Sequence, residues 1–166
     1  MSRVVLSLGA NLGDRAGTLR AALAALAEDG PLAHSGLYET PPWGPVRQPP
    51  YLNAVAVLGG DRDARAWLAR AHELEQAAGR TREVRWGART LDVDVVTVTG
   101  EHGEPVVADD PELTLPHPRA HERAFVLVPW LAVDADAELP GRGRVGDLVA
   151  ALDPAEVAAV VPWHEG

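Results

Sequence analysis

The chain has 166 residues, 46% of them apolar, enough for one domain with one substantial core spanning 1–166. Its formal charge of −9 opposes broad binding to nucleic-acid backbones, and the absence of cysteine excludes disulfides and thiolate metal sites. All 15 basic residues are arginine, so a Walker A loop, a protein-kinase strand lysine and a Schiff base are excluded, and any phosphate handling falls to arginine.

In chain order, Val4, Leu6 and Leu8 alternate with Val5, Ser7 and Gly9, which predicts a strand. Gly9 to Asp14 is a turn. Leu19, Leu23 and Leu26 then predict a helix over about 16–28, stopped by Asp29-Gly30-Pro31. A second strand is expected over 32–38. Residues 40–50 hold five prolines and form a long loop. A strand over 52–58 precedes a helix over 62–78, with Trp67, Leu68, Ala71, Leu74 and Ala78 inward and Gly79 at its end. A second loop covers 80–90, and a valine-rich strand covers 91–98. A hairpin return is expected at Pro105-Val106-Val107 and a short helix over 121–131. The tail from Asp134 shows little pattern before 145–152. The order β-α-β-β-α-β is the ferredoxin-like plan of an α+β protein, with helices on one face of an antiparallel sheet. The two long loops are candidate functional loops. No apolar run is long enough for a membrane span and the start does not read as a signal peptide, so the expected location is cytoplasmic.

Four groups of residues point to chemistry. Asp92 and Asp94 occupy i and i+2 of one strand, which puts both carboxylates on one face about 6.5–7 Å apart. That pair suits Mg²⁺, a hard cation that takes carboxylates together with substrate phosphates; the plain alternative is an acidic pair on a solvated face. Arg80, Arg82, Arg85 and Arg89 lie just upstream, and guanidinium forks bind phosphate oxygens two at a time. Tyr51, Asn53, Trp86 and Phe125 could hold a flat heterocycle between aromatic faces, with an amide at its edge; alternatively they pack and cap. His117 and His121 have the spacing of a zinc pair but lack a nearby third ligand, so His117 and Arg123 fit better as phosphate contacts. Gly141-Arg142-Gly143-Arg144-Val145-Gly146 matches a dinucleotide fingerprint in letters only and is read as a turn.

With these residues in place, the sequence resembles the hydroxymethyldihydropterin pyrophosphokinase family over nearly its whole length. The resemblance rests on Leu8-Gly9-Ala10-Asn11-Leu12-Gly13-Asp14, Tyr38-Glu39-Thr40-Pro41-Pro42, and Tyr51-Leu52-Asn53-Ala54. It continues through Glu75, Gly79-Arg80-Thr81-Arg82, and the run from Arg85-Trp86-Gly87 to Asp92-Val93-Asp94. It closes with Leu115-Pro116-His117 and Arg123-Ala124-Phe125. It implies a ferredoxin-like monomer that moves a pyrophosphoryl group from ATP to the hydroxymethyl group of a reduced pterin, releasing AMP, in folate synthesis. It implies two Mg²⁺ ions on Asp92 and Asp94, with Arg80 and Arg89 sharing the catalytic work. Glu75, Arg80, Arg82, Arg89, His117 and Arg123 would serve the nucleotide. Tyr51 and Phe125 would sandwich the pterin. Thr40, Pro41, Trp43 and Asn53 would line its edge, with Asp92 alongside and Trp86 closing over it. Ala88 stands where the family usually has proline, and Trp43 replaces a commonly smaller residue. Two other readings are a nucleotide-sugar transferase, whose large α/β domain does not fit in 166 residues, and a binding module that has lost turnover, which should lack a metal carboxylate or the arginines.

Overall fold

The alternation in the first segment becomes the central strand of the sheet. In a computed structural model of the protein, which describes residues 1–42, 49–79 and 90–164, β1 (Ser2–Ala10) buries Val4, Leu6, Leu8 and Ala10 on one face. Gly13, at φ +62°, makes the turn that follows, where L side chains are strained. Asp14 then caps α1 (Arg15–Ala27) by accepting from Gly17 N at 3.0 Å.

The expected second strand is divided into β2 (Leu32–His34) and β3 (Tyr38–Thr40). Gly36, at φ +77°, breaks it. Ser35 bridges the break: its N–H donates to Val55 O and its Oγ accepts from Val55 N, both at 3.0 Å. Both pieces therefore stay paired to β4 (Tyr51–Gly60). Next, α2 (Ala64–Gly79) buries Trp67, Ala71 and Leu74. The Trp67 indole N–H donates to Ser2 Oγ at 2.9 Å, which satisfies the one polar atom of a fully buried ring. β5 (Asp92–Thr99) lies antiparallel on the other side of β1, with a bulge where the register slips between Val5 and Leu6. The return at 105–107 is a single bridge, Thr99 to Pro105, with Val106 N donating to Val98 O at 2.8 Å.

The remainder is built from short pieces. β6 (Ala108–Asp109) and β7 (Thr114–Leu115) form a ribbon. A 3₁₀ turn at Ala120–Glu122 precedes α3 (Ala124–Val133), which starts later than 121 because Arg123 is extended (φ −104°, ψ 102°). β8 (Glu138–Leu139) and β9 (Gly143–Arg144) make a hairpin, so the glycine-rich 141–146 segment is indeed a turn running into α4 (Val145–Ala151). After α5 (Pro154–Ala158), β10 (Val161–Pro162) pairs with β3. The sheet order is β10-β3-β4-β1-β5, antiparallel throughout, with β2 also on β4.

The expectation of helices on one face is corrected by the structure. α1 and α2 cover the face carrying Val4, Leu6, Leu8, Ala54 and Ala56. On the opposite face, Val126, Leu127 and Trp130 of α3 and Val145 of α4 pack against Val5, Val55, Val57 and Val96. That second layer covers only one end of its face. Among the described residues, no helix is long and apolar enough to cross a membrane.

Candidate active site

The uncovered end of that second face is a cavity of about 370 Å³, within the range of about 300–1,000 Å³ usual for small-molecule sites. Strand alternation builds its floor. On β1, Ser7 and Gly9 continue the phase of Val5; on β4, Tyr51 and Asn53 continue that of Val55 and Val57; on β5, Asp92 and Asp94 continue that of Val96. The ladders align these residues across the sheet. Gly9 lies opposite both Asn53 and Asp92, and Ser7 lies opposite Asp94. Thr40 and Pro41, at the end of β3, and Arg123 and Phe125, at the start of α3, supply the walls.

The polar groups are fixed by identifiable partners. The Asn53 side chain is only 3% exposed, and its Nδ2 donates to Thr40 Oγ1 at 2.7 Å. Glu75, reaching from α2, accepts from Val93 N at 3.0 Å and so pins the backbone between the two aspartates. Arg123 Nη1 stands 3.7 Å from Asp94 Oδ2, and the Arg123 guanidinium carbon lies 5.5 Å from the Phe125 ring centroid. Both members of the ion pair are partly exposed, so its worth is about 0–1 kcal/mol and a ligand can displace it. Burial, and then the Asp92 charge, raise the Tyr51 phenol above its ordinary value, so the ring facing the cavity stays neutral.

His117 lies just beyond the lining of this cavity, on the turn before α3. Its N–H donates to Val96 O at 2.8 Å, and its Nδ1 accepts from Arg119 N at 3.1 Å. Burial pushes its pKa down, Asp94 opposes that shift, and Arg123 and Arg119 reinforce it. It therefore sits electrostatically next to Asp94 while one ring nitrogen is spent on its own turn. Among the described residues, no group of three His, Cys, Asp or Glu could hold a metal, so the His117–His121 pair gains no third ligand. Two carboxylates without imidazole suit a hard cation that completes its shell with phosphate and water.

The structure thus gathers Thr40, Pro41, Tyr51, Asn53, Asp92, Asp94, Arg123 and Phe125 around one cavity, with Glu75 directly behind it. Trp43, Arg80, Arg82, Trp86 and Arg89 lie outside the described residues. Ser7 and Gly9 are floor residues that sequence reasoning did not single out as a site. The signal was present: they are the small or polar members of a strand phase whose other phase is apolar from Val4 to Ala10.

Comparison with known proteins gives the chain its family. The sequence model of the family described as 7,8-dihydro-6-hydroxymethylpterin-pyrophosphokinase (HPPK) matches residues 5–135. The 2-amino-4-hydroxy-6-hydroxymethyldihydropteridine pyrophosphokinase of Mycobacterium leprae is 53% identical, covering 94% of this chain and 86% of its own. The protein of that name from Mycobacterium tuberculosis is 49% identical over 94% of this chain and 87% of its own. A crystal structure of Plasmodium falciparum HPPK-DHPS superposes with a TM-score of 0.64 at 13% identity, covering 89% of this chain and 44% of that one. At that identity the superposition speaks for the fold, and the two bacterial relatives speak for the sequence. From a match over residues 5–135 and relatives about half identical along nearly the whole chain, it follows that this chain belongs to the 7,8-dihydro-6-hydroxymethylpterin-pyrophosphokinase family.

Proposed function

We propose that this protein transfers the pyrophosphoryl group of ATP to the hydroxymethyl group of 6-hydroxymethyl-7,8-dihydropterin, a step of folate biosynthesis. One observation carries the reading beyond family membership: a single cavity places two aspartates and an arginine beside a slot lined by Tyr51, Asn53 and Phe125. The first set suits a metal-bound polyphosphate and the second a flat, edge-polar ring. We assign the pterin to the space between Tyr51 and Phe125, with Thr40, Pro41, Asn53 and Asp92 at its margin and Trp43 and Trp86 as further contacts. We assign the nucleotide phosphates to Arg80, Arg82, Arg89, His117 and Arg123, with Glu75 steadying the strand beneath them.

In the reaction, the pterin hydroxyl oxygen attacks the β-phosphorus of ATP in line. A new O–P bond forms, the bond from the β-phosphorus to the oxygen bridging the α-phosphate breaks, AMP leaves with that oxygen, and the hydroxyl proton is lost. Asp92 and Asp94 fit two Mg²⁺ ions, which when bound supply neutralisation of the polyphosphate charge. The chain's own part is positioning. The aromatic pair aligns the ring, Asn53 fixes its rotation, and the arginines hold the phosphate oxygens while charge shifts to the leaving AMP. The β10-β3-β4-β1-β5 order, read with β2 and β3 as one broken strand, supports a ferredoxin-like plan. We read the chain as a single domain that acts as a monomer in the cytoplasm.

Incubation with Mg-ATP and the reduced hydroxymethyl pterin, followed by nucleotide analysis, tests the proposal. AMP and pterin diphosphate are expected in equal amounts. ADP as the stoichiometric product overturns it.

A further inference from the structure

The first block of the resemblance, residues 8–14, contains a helix cap at Asp14 and a turn at Gly13. Gly9 serves neither purpose. It sits near the end of β1 but is still paired to strands on both sides, a place where glycine is unfavourable and usually marks close approach by another group. Its surroundings identify that group. A Cβ built on Gly9 would lie 3.0 Å from Asn53 Oδ1 and 3.8 Å from Tyr51 Cδ1, with Leu52 O at 3.9 Å. The place a methyl would fill is therefore the outer edge of the Asn53 amide.

The far end of the same amide is held by Thr40 Oγ1 at 2.7 Å. The amide thus spans the sheet, anchored on β3, carried by β4, and overhanging β1 at Gly9. It is buried, so its plane is set by these neighbours and not by solvent. We infer that Gly9 is a positioning residue for substrate recognition: its missing side chain lets the Asn53 amide lie flat on the sheet, at the height where it meets the edge of a planar heterocycle held between Tyr51 and Phe125. This rests on the pterin reading given above. An alanine at position 9 forces the amide to yield by a few tenths of an ångström. The Thr40 hydroxyl, able to accept or donate, keeps hold of one end, so the movement becomes a tilt that misaims the free end toward the ring. Gly9 also lies directly opposite Asp92, so nothing rises from the floor between the amide and the carboxylate.

A double-mutant cycle tests this with Gly9→Ala, Asn53→Ala and the pair, reading KM for the reduced pterin, kcat, the affinity of an unreactive ATP analogue, and Tm. Gly9→Ala is expected to raise the pterin KM roughly tenfold, the scale of one misaligned hydrogen bond, with unchanged affinity for the ATP analogue. In the Asn53→Ala background the same change should add nothing, because the amide it displaces is gone. A tenfold loss that persists in that background, or an equal loss for both substrates, overturns the inference. If Gly9→Ala alone folds poorly, the Asn53→Ala partner should restore Tm by clearing the contact, and failure to restore it also overturns the inference. If the wild-type protein makes no AMP from these substrates, the reaction assignment fails instead, while the Tm cycle still reads the Gly9–Asn53 contact.

Discussion

Two ends of one sheet face share strands, phase and neighbours, yet one is core and the other is a cavity. At the first end, Val5, Val55, Val57 and Val96 lie beneath Val126, Leu127 and Trp130. At the second, the same phase of the same three strands reads Ser7 and Gly9, Tyr51 and Asn53, Asp92 and Asp94. The backbone offers equivalent positions at both ends. Residue type alone decides whether a helix or a ligand covers them, because a helix cannot satisfy two carboxylates and an amide, whereas a solvated polar ligand can. α3 begins where the chemistry changes, and its first turn supplies Phe125 to the cavity wall and Val126 to the core.

The sharpest way to break the contrast is to move a carboxylate to the wrong end. Val55→Asp places an unpaired charge at a position with no exposure, and should cost more than about 4 kcal/mol. Circular dichroism and thermal unfolding should show a largely unfolded chain; a Tm near wild type would mean that the apolar end tolerates the chemistry of the polar end. The reverse change, Asp92→Ala, should leave Tm unchanged or slightly higher, since one of two like charges is removed. Its turnover should fall on the order of a hundredfold or more, as for other lost transition-state contacts. Retention of turnover at low Mg²⁺ would remove the metal from Asp92.

A smaller effect separates the two ends by pH. The folded-state pKa of His117 lies below its ordinary 6.5, mainly through burial. The unfolded chain therefore takes up the proton first as pH falls. The stabilisation is fully present above about 6.5 and is lost as pH drops through the folded value. Protonation also removes the Nδ1 acceptor that Arg119 N uses. His117→Asn keeps an acceptor near that place without titrating, so its Tm should fall less than wild type between pH 7 and pH 5. Parallel curves would exclude His117 from the acid loss. The smallest effect belongs to the β8–β9 hairpin. Arg144 there meets the exposed Asp136 at 3.4 Å. Replacing Arg142 and Arg144 by alanine should leave ATP affinity unchanged; a large loss would give the glycine-rich turn a nucleotide role.

The legible part of this molecule follows from local rules. Period-two alternation in β1 and β5 put Asp92 and Asp94 together, and helical spacing placed Trp67, Ala71 and Leu74 inward. The parts that were not legible depend on distant partners. The split at Gly36 shows only once Ser35 is seen bonding to Val55 across the sheet. β10 is two residues long, too short to carry a pattern, and exists because β3 presents an edge. The second helical layer was missed because α3 is apolar nearly all round, as a helix wedged between sheet and α4 must be. Gly9 was legible as a motif letter, but its meaning lay in the Asn53 side chain on the neighbouring strand.

The bulge in β5 sets the frame in which the strand's residues are counted. Val98 faces Val4 on the α1–α2 side, and an unbroken ladder from there would set Asp94 opposite Leu8, inside the apolar layer. The extra residue at Val96 shifts the count by half a period, so Asp94 instead faces Ser7 and both carboxylates emerge on the ligand side. Length changes in this strand are therefore not graded. Loss of Val96 itself would straighten the ladder and still leave Asp94 opposite Ser7, at the expense of one buried valine. Gain of a residue between Asp94 and Val96 would turn both acids inward and abolish the site in a single step. The outer half of β5 can vary in composition, but its length is tied to the chemistry at its head.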